Sequence, residues 1–236
     1  MLIMVGFVLS THSDTSQAIN NIAQTVDQLL VWLDLAGVAV FAISGALVAS
    51  RKCLDPVGFA LIATVTGIGG GTLRDLLLGL PVFWVGQPHY VGLCVAMSLI
   101  VFFAAPFVEY RYRVLLWADA IGLSLFSVLG AKLAVVSGFG ITISVLMGLS
   151  TATFGGLIRD VLCSEIPLIL RREIYATAAL SGALVYACLT EFAQLPYMLP
   201  EFCGVLTCFA VRALGLISGL SLPAYRPRAG RDYPAE

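Results

Sequence analysis

One stretch of this sequence occurs twice. The pattern Asp34-x-x-Gly37-x-x-x-Phe41-x-x-x-Gly45-Ala46 returns as Asp119-x-x-Gly122-x-x-x-Phe126-x-x-x-Gly130-Ala131. The pattern Gly70-Gly71-x-x-Arg74-Asp75 returns as Gly155-Gly156-x-x-Arg159-Asp160, and Thr66 returns as Thr151. Every match shares one offset of 85 residues. A proline follows each copy, Pro81 in the first and Pro167 in the second, there with one residue inserted. Self-similarity of this length constrains the fold before any single element is assigned, because both copies must build the same unit.

Hydropathy shows what that unit is. Of the 236 residues, 59% are hydrophobic and 11% charged, against about 45–50% and about 25% in soluble domains. A soluble globule of this size has no interior large enough for so much apolar surface. The chain is therefore read as an all-α integral membrane protein, and a soluble enzyme or a nucleic-acid binder is excluded. A span needs about 20 apolar residues, and seven runs qualify. They cover approximately 29–49, 57–78, 90–108, 114–136, 141–163, 174–192 and 201–220.

Each copy holds three spans. Three is odd, so the second copy enters the membrane from the opposite side. The expected architecture is an inverted three-plus-three repeat with a pseudo-two-fold axis in the membrane plane, plus a seventh helix. The layout is an N-terminal segment 1–27, repeats 28–112 and 113–195, the seventh helix at 196–222 and a basic tail 223–236. Inverted repeats characterise proteins that move solutes or ions, with sites near the midplane at interrupted helices; the alternative is a relic of gene duplication. The loops after spans one, three, five and seven carry Arg51, Lys52, Arg111, Arg113, Arg171, Arg172, Arg226, Arg228 and Arg231, while the N-terminal segment and the other loops carry no Lys or Arg. The positive-inside rule then puts the N-terminus outside and the C-terminus in the cytoplasm. Residues 1–9 are apolar but lack a basic leader, so a cleaved signal peptide is poorly supported.

The other four basic residues, Arg74, Lys132, Arg159 and Arg212, lie inside spans. Insertion scales charge about 2.5–3.5 kcal/mol for such a residue at a helix centre, so each needs a partner. Adjacent side chains on a helix diverge, which argues against Arg74–Asp75 and Arg159–Asp160 neutralising each other. Matching depth suggests Asp34–Arg74 and Asp119–Arg159 pairs instead, either as bundle fasteners or as the charged mouths of a hydrated path. Lys132 stands where the first repeat has Leu47, and either snorkels or lines the path. Arg212 is expected to pair with a carboxylate such as Asp160 or to reach the inner surface.

Gly69-Gly70-Gly71 and Gly155-Gly156 fall halfway along spans two and five. Each glycine costs up to about 1 kcal/mol in a helix interior, so the runs predict a bend or local unwinding, with freed carbonyls facing a wet cavity. Close helix packing is the alternative. Nearby hydroxyls (Thr64, Thr66, Thr72, Ser150, Thr151 and Thr153) either line a polar pore or bond back to their own helices. The glycine runs have neither the spacing of a dinucleotide fingerprint nor a P-loop ending. No cysteines are spaced C-x-x-C and His12 and His89 are the sole histidines, so the six cysteines are read as packing residues and no metal or cofactor is called for.

The runs GIGGGTLRDLLLG (67–79) and FGGLIRDVLCSEIP (154–167) resemble the doubled signature of the prokaryotic trimeric intracellular cation (TRIC) channel family, whose bacterial members are also described as glycine transporter-like. The resemblance covers about residues 28–222. It implies seven helices, a homotrimer in the bacterial-type plasma (inner) membrane with one pore per protomer, and passage of monovalent cations, K+ chiefly and Na+. By position it implies kinks at Gly69, Gly70, Gly71, Gly155 and Gly156, and pore-side charges at Arg74, Asp75, Arg159 and Asp160. The Lys-Glu-Val triplet of animal members is missing, so lipid contact through that motif is not implied, although membrane lipids remain partners. A carrier for glycine or another small amino acid is the alternative, since one Arg and one Asp at a broken helix suit a zwitterion. A membrane scaffold or intramembrane enzyme is a third reading, but no Ser/His, Cys/His or metal constellation can be assembled for it.

Overall fold

The computed structural model describes residues 31–107, 111–193, 198–221 and 223. The N-terminal segment, most of the basic tail, and Arg226, Arg228 and Arg231 lie outside the described residues. Seven helices are long and apolar enough to cross a membrane. They are α1 (Val31–Arg51), α2 (Pro56–Leu78), α4 (His89–Ala104), α5 (Arg111–Val136), α6 (Ile141–Leu162), α7 (Ala176–Cys188) and α8 (Leu199–Ser218), with a short α3 (Phe83–Gly86) between the second and third spans. The boundaries fall within a few residues of those read from hydropathy.

Local chemistry sets the ends. Asp55 caps α2 by accepting from the Gly58 amide at 2.7 Å, and Pro56 occupies the first turn, where a missing N–H costs nothing. Gly79 ends α2 in the left-handed conformation at φ 67°. At 1.5 Å per residue, the 23 residues of α2 reach about 35 Å, enough for a hydrocarbon core about 30 Å thick. Leu61, Leu76, Ile100, Phe103, Leu146 and Leu214 are exposed on the outer faces, where lipid replaces water as their solvent.

The interior is built from small residues. Ala42, Ala46, Ala63, Ala134, Ala152 and Ala179 are fully buried, as expected where helices associate by close approach rather than by the hydrophobic effect. The contacts at the centre are reciprocal. A Cβ on Gly70 would collide with the Thr151 carbonyl oxygen, and one on Gly155 with the Thr66 carbonyl oxygen. Gly37 packs on the Phe126 ring, Gly122 packs on the Phe41 ring, and the two rings stack at 5.3 Å with 5° between planes. Every residue in this set meets the counterpart of its own partner, which is the signature of a two-fold axis between the repeats.

Two expectations are corrected here. Both α2 and α6 run through their glycines as unbroken α-helix, so neither is unwound; the glycines let the two backbones touch. The inserted residue before Pro167 is also not an insertion. The Leu80 amide bonds the Asp75 carbonyl and the Glu165 amide bonds the Asp160 carbonyl, both at 2.8 Å, so the register of 85 persists past the prolines.

Candidate functional site

The intramembrane charges form two equivalent units. In the first, Arg74 Nε and Nη2 donate to Asp75 Oδ1 at 2.9 and 2.8 Å, and Asp75 Oδ2 accepts from the Phe83 amide at 2.9 Å. In the second, Arg159 Nε donates to Asp160 Oδ1 at 2.8 Å, and Asp160 Oδ2 accepts from the Leu168 amide at 3.0 Å. The expectation that adjacent Arg and Asp cannot neutralise each other is thus overturned. The aspartate reaches forward to an amide eight residues on, and the long guanidinium stem folds back along the helix to meet it.

The units differ in their third member. Arg159 Nη1 donates to Asp119 Oδ1 at 2.8 Å and also to the Ser44 hydroxyl of α1. The expected Asp119–Arg159 pair is therefore present, with both side chains fully buried. The expected Asp34–Arg74 pair is not. Asp34 accepts instead from the Tyr90 hydroxyl at 2.5 Å, which lies closer than the Arg74 fork that is already engaged with Asp75. Charge-assisted pairs of this kind are the strong ones in a dry interior.

Lys132 and Arg212 are both ion-paired. Lys132 Nζ meets Glu201 of α8 at 2.9 Å and neither snorkels nor stands unpaired. Arg212 pairs with Glu173 at 2.8 Å rather than with Asp160, donates to the Ile174 carbonyl at 3.1 Å, and lies over the Tyr175 ring. Asp160 is already saturated by Arg159 and the Leu168 amide, which leaves Arg212 to the loop carboxylate. At one end of the bundle Glu165 gathers Arg51, Lys52 and Arg171 within 3.3–3.7 Å.

The hydroxyls bond to their own helices. Thr66, Thr72, Thr151 and Thr153 each donate to the carbonyl four residues back at 2.6–2.9 Å. Thr72 also accepts from the Trp84 indole at 2.9 Å. Among the described residues no group of three His, Cys, Asp or Glu could hold a metal. The cysteines are free; Cys94, Cys163 and Cys208 are buried as expected of packing residues, but Cys53 is exposed in the α1–α2 turn.

Sequence reasoning missed Tyr90, Tyr175, Ser44, Glu165, Glu173 and Glu201. Two of these carried a usable signal, since Tyr90 and Tyr175 stand at the same offset of 85. Tyr175, beside the Asp119 carboxylate, completes no hydrogen bond. The buried polar atoms without a partner among the described residues are Asp119 Oδ2, Arg159 Nη2, Tyr175 Oη and Arg212 Nε.

Seven spans, a two-fold crossing of small residues and buried Arg–Asp units on the crossing helices define the class: an inverted-repeat membrane protein of the kind that passes solutes or ions. The chain belongs to the family described as glycine transporter, whose sequence pattern matches residues 31–106 and again 116–191, one match per repeat. It is 40% identical over 202 residues to the inner membrane protein YadS of Escherichia coli, covering 84% of this chain and 96% of that one. A Vibrio cholerae membrane protein is 37% identical over 84% of this chain and 83% of its own length. Among solved structures, the TRIC trimeric intracellular cation channel orthologue of Rhodobacter sphaeroides is 51% identical, with a TM-score of 0.79 over 81% of this chain and 99% of that one. A prokaryotic TRIC channel crystallised in 0.5 M KCl is 34% identical, with a TM-score of 0.77 over 83% and 99%. The chain is a multi-pass protein of the bacterial-type inner membrane, placed among channels and membrane proteins and not among enzymes.

Proposed function

We propose that the chain is a monovalent cation channel for potassium and sodium ions, assembled as a homotrimer with one pore in each protomer along α2 and α6. The observation that carries this reading is a charge balance. In the two crossing units the guanidinium groups of Arg74 and Arg159 stand among four carboxylates, Asp34, Asp75, Asp119 and Asp160. Arginine alone would repel cations, but here the surplus is negative. A polar, net-acidic seam between low-dielectric helices concentrates cations and excludes anions. Lys132 and Arg212 add nothing to the balance, because each has its own glutamate. The structural relatives named above are cation channels, which points the same way. In this reading the repeats are 28–112 and 113–195, and the Arg51–Glu165–Arg171 end faces the cytoplasm.

The test is current across a planar bilayer holding the purified protein in asymmetric KCl. Discrete steps reversing near the potassium potential are expected. Asp34→Asn keeps an oxygen for Tyr90 to bond and removes one negative charge. One charge acting over about 15 Å at an effective dielectric near 20 is worth about 1 kcal/mol, so the cation-over-anion permeability ratio should fall about fivefold. An unchanged ratio would take Asp34 off the ion path. The second reading, a carrier for glycine, is favoured by the family's description; labelled-glycine counterflow in liposomes that carry no current would establish it instead.

A further inference from the structure

The two units are related by one offset, yet they are caught in different arrangements. Asp34, Arg74 and Tyr90 correspond to Asp119, Arg159 and Tyr175, and the Phe83 and Leu168 amides that hold the neighbouring aspartates correspond as well. In the first unit the carboxylate is taken by tyrosine, and arginine keeps only its adjacent aspartate. In the second the carboxylate is taken by arginine, and the tyrosine hydroxyl is left without a partner. Asp119 Oδ2 and Tyr175 Oη, the atoms that would make the bond seen between Asp34 and Tyr90, are both buried and both unpaired. A buried polar group without a partner costs free energy. A second arrangement that pairs these two atoms is therefore within reach.

We propose that Tyr90 and Tyr175 are positioning residues of two equivalent gates, in each of which an aspartate exchanges between tyrosine and arginine. The consequence for the helices follows from what each partner ties together. When arginine holds the carboxylate, Arg159 spans α6, Asp119 of α5 and Ser44 of α1, and its buried guanidinium bolts three helices across the interior. When tyrosine holds it, the arginine retains only its own helix, as Arg74 does, and the carboxylate is tied to the helix start that carries the tyrosine. The arginine-held arrangement closes the seam and the tyrosine-held arrangement releases it. The structure has the first gate released and the second bolted. The inference rests on the channel reading for its functional consequence, but the exchange of partners is a structural claim that stands or falls separately.

Tyr175→Phe decides the matter, because the hydroxyl it removes makes no hydrogen bond in the structure. A purely structural role predicts an unchanged melting temperature and unchanged gating. The exchange predicts an unchanged melting temperature, unchanged unitary conductance and an open probability lowered about fivefold, the population shift that one buried hydrogen bond supports. Tyr90→Phe should lower open probability as well, by releasing Asp34 to Arg74. If the wild-type protein conducts and both variants gate as it does, the proposal is overturned. If the wild-type bilayer is silent, the channel reading fails, and the structure of Tyr90→Phe settles the exchange. Asp34 moved onto Arg74 supports it; Asp34 still apart from Arg74 overturns it.

Discussion

Arg159→Met should leave almost no folded protein. Arg159 is fully buried and holds Asp119, Asp160 and the Ser44 hydroxyl at once. Its removal strands two carboxylates in the apolar interior, with only the Leu168 amide left to one of them. Breaking a buried pair by deleting one partner costs about 3–5 kcal/mol, a large share of a total stability of about 5–15 kcal/mol. The check is the yield of monodisperse protein on size exclusion and its melting temperature in detergent. Arg51→Met serves as the control: its partner Glu165 also has Lys52 and Arg171, its side chain is 32% exposed, and the loss should stay under about 1 kcal/mol. Arg159→Lys should fall between, because a single ammonium cannot serve carboxylates on two helices and a hydroxyl on a third. A variant Arg159→Met that melts with the wild type would mean that water already solvates this cluster.

Much of this arrangement was legible before any coordinates, because two kinds of signal in the sequence are physical. Apolar runs of span length gave the seven helices, since a hydrocarbon slab accepts few alternatives. The offset of 85 gave the two-fold relation and placed Arg74 and Arg159, Asp34 and Asp119, at equivalent positions. What the sequence hid was partner choice. Asp34 and Asp119 are identical by motif, yet one bonds Tyr90 and the other Arg159; a repeat cannot show how the repeats differ. Glu173 and Glu201 looked like ordinary loop and helix-start residues, and only three-dimensional proximity makes them the partners of Arg212 and Lys132. The adjacent Arg–Asp pairs were misjudged for a related reason. Helical spacing describes where Cβ atoms point, and a guanidinium on a long stem can reach well beyond that direction. The glycines were legible as special but ambiguous in purpose, since bending and close packing ask for the same residue.

That ambiguity is open to direct measurement, because the three glycines of α2 face different surroundings. Gly70→Ala should destabilise the protein by about 1–3 kcal/mol, the usual cost of forcing a methyl into a packed interior. The added Cβ would strike the Thr151 carbonyl, a backbone atom that cannot turn aside. Gly155→Ala should do the same from the other side of the axis, where the obstacle is the Thr66 carbonyl. The double variant should separate α2 from α6 and abolish assembly of folded protein. Gly69→Ala should behave in the opposite way. Its Cβ would meet the Ile158 side-chain terminus at 3.3 Å, a flexible methyl that can rotate away, and alanine is favoured over glycine by up to about 1 kcal/mol in a helix interior. The melting temperature should therefore rise for Gly69→Ala and fall for Gly70→Ala. A hinge makes another forecast: stiffening either position would slow gating while leaving stability level or improved. If Gly70→Ala melts at or above the wild type and conducts less, α2 bends at its glycines after all, and the close crossing with α6 is only one of its positions.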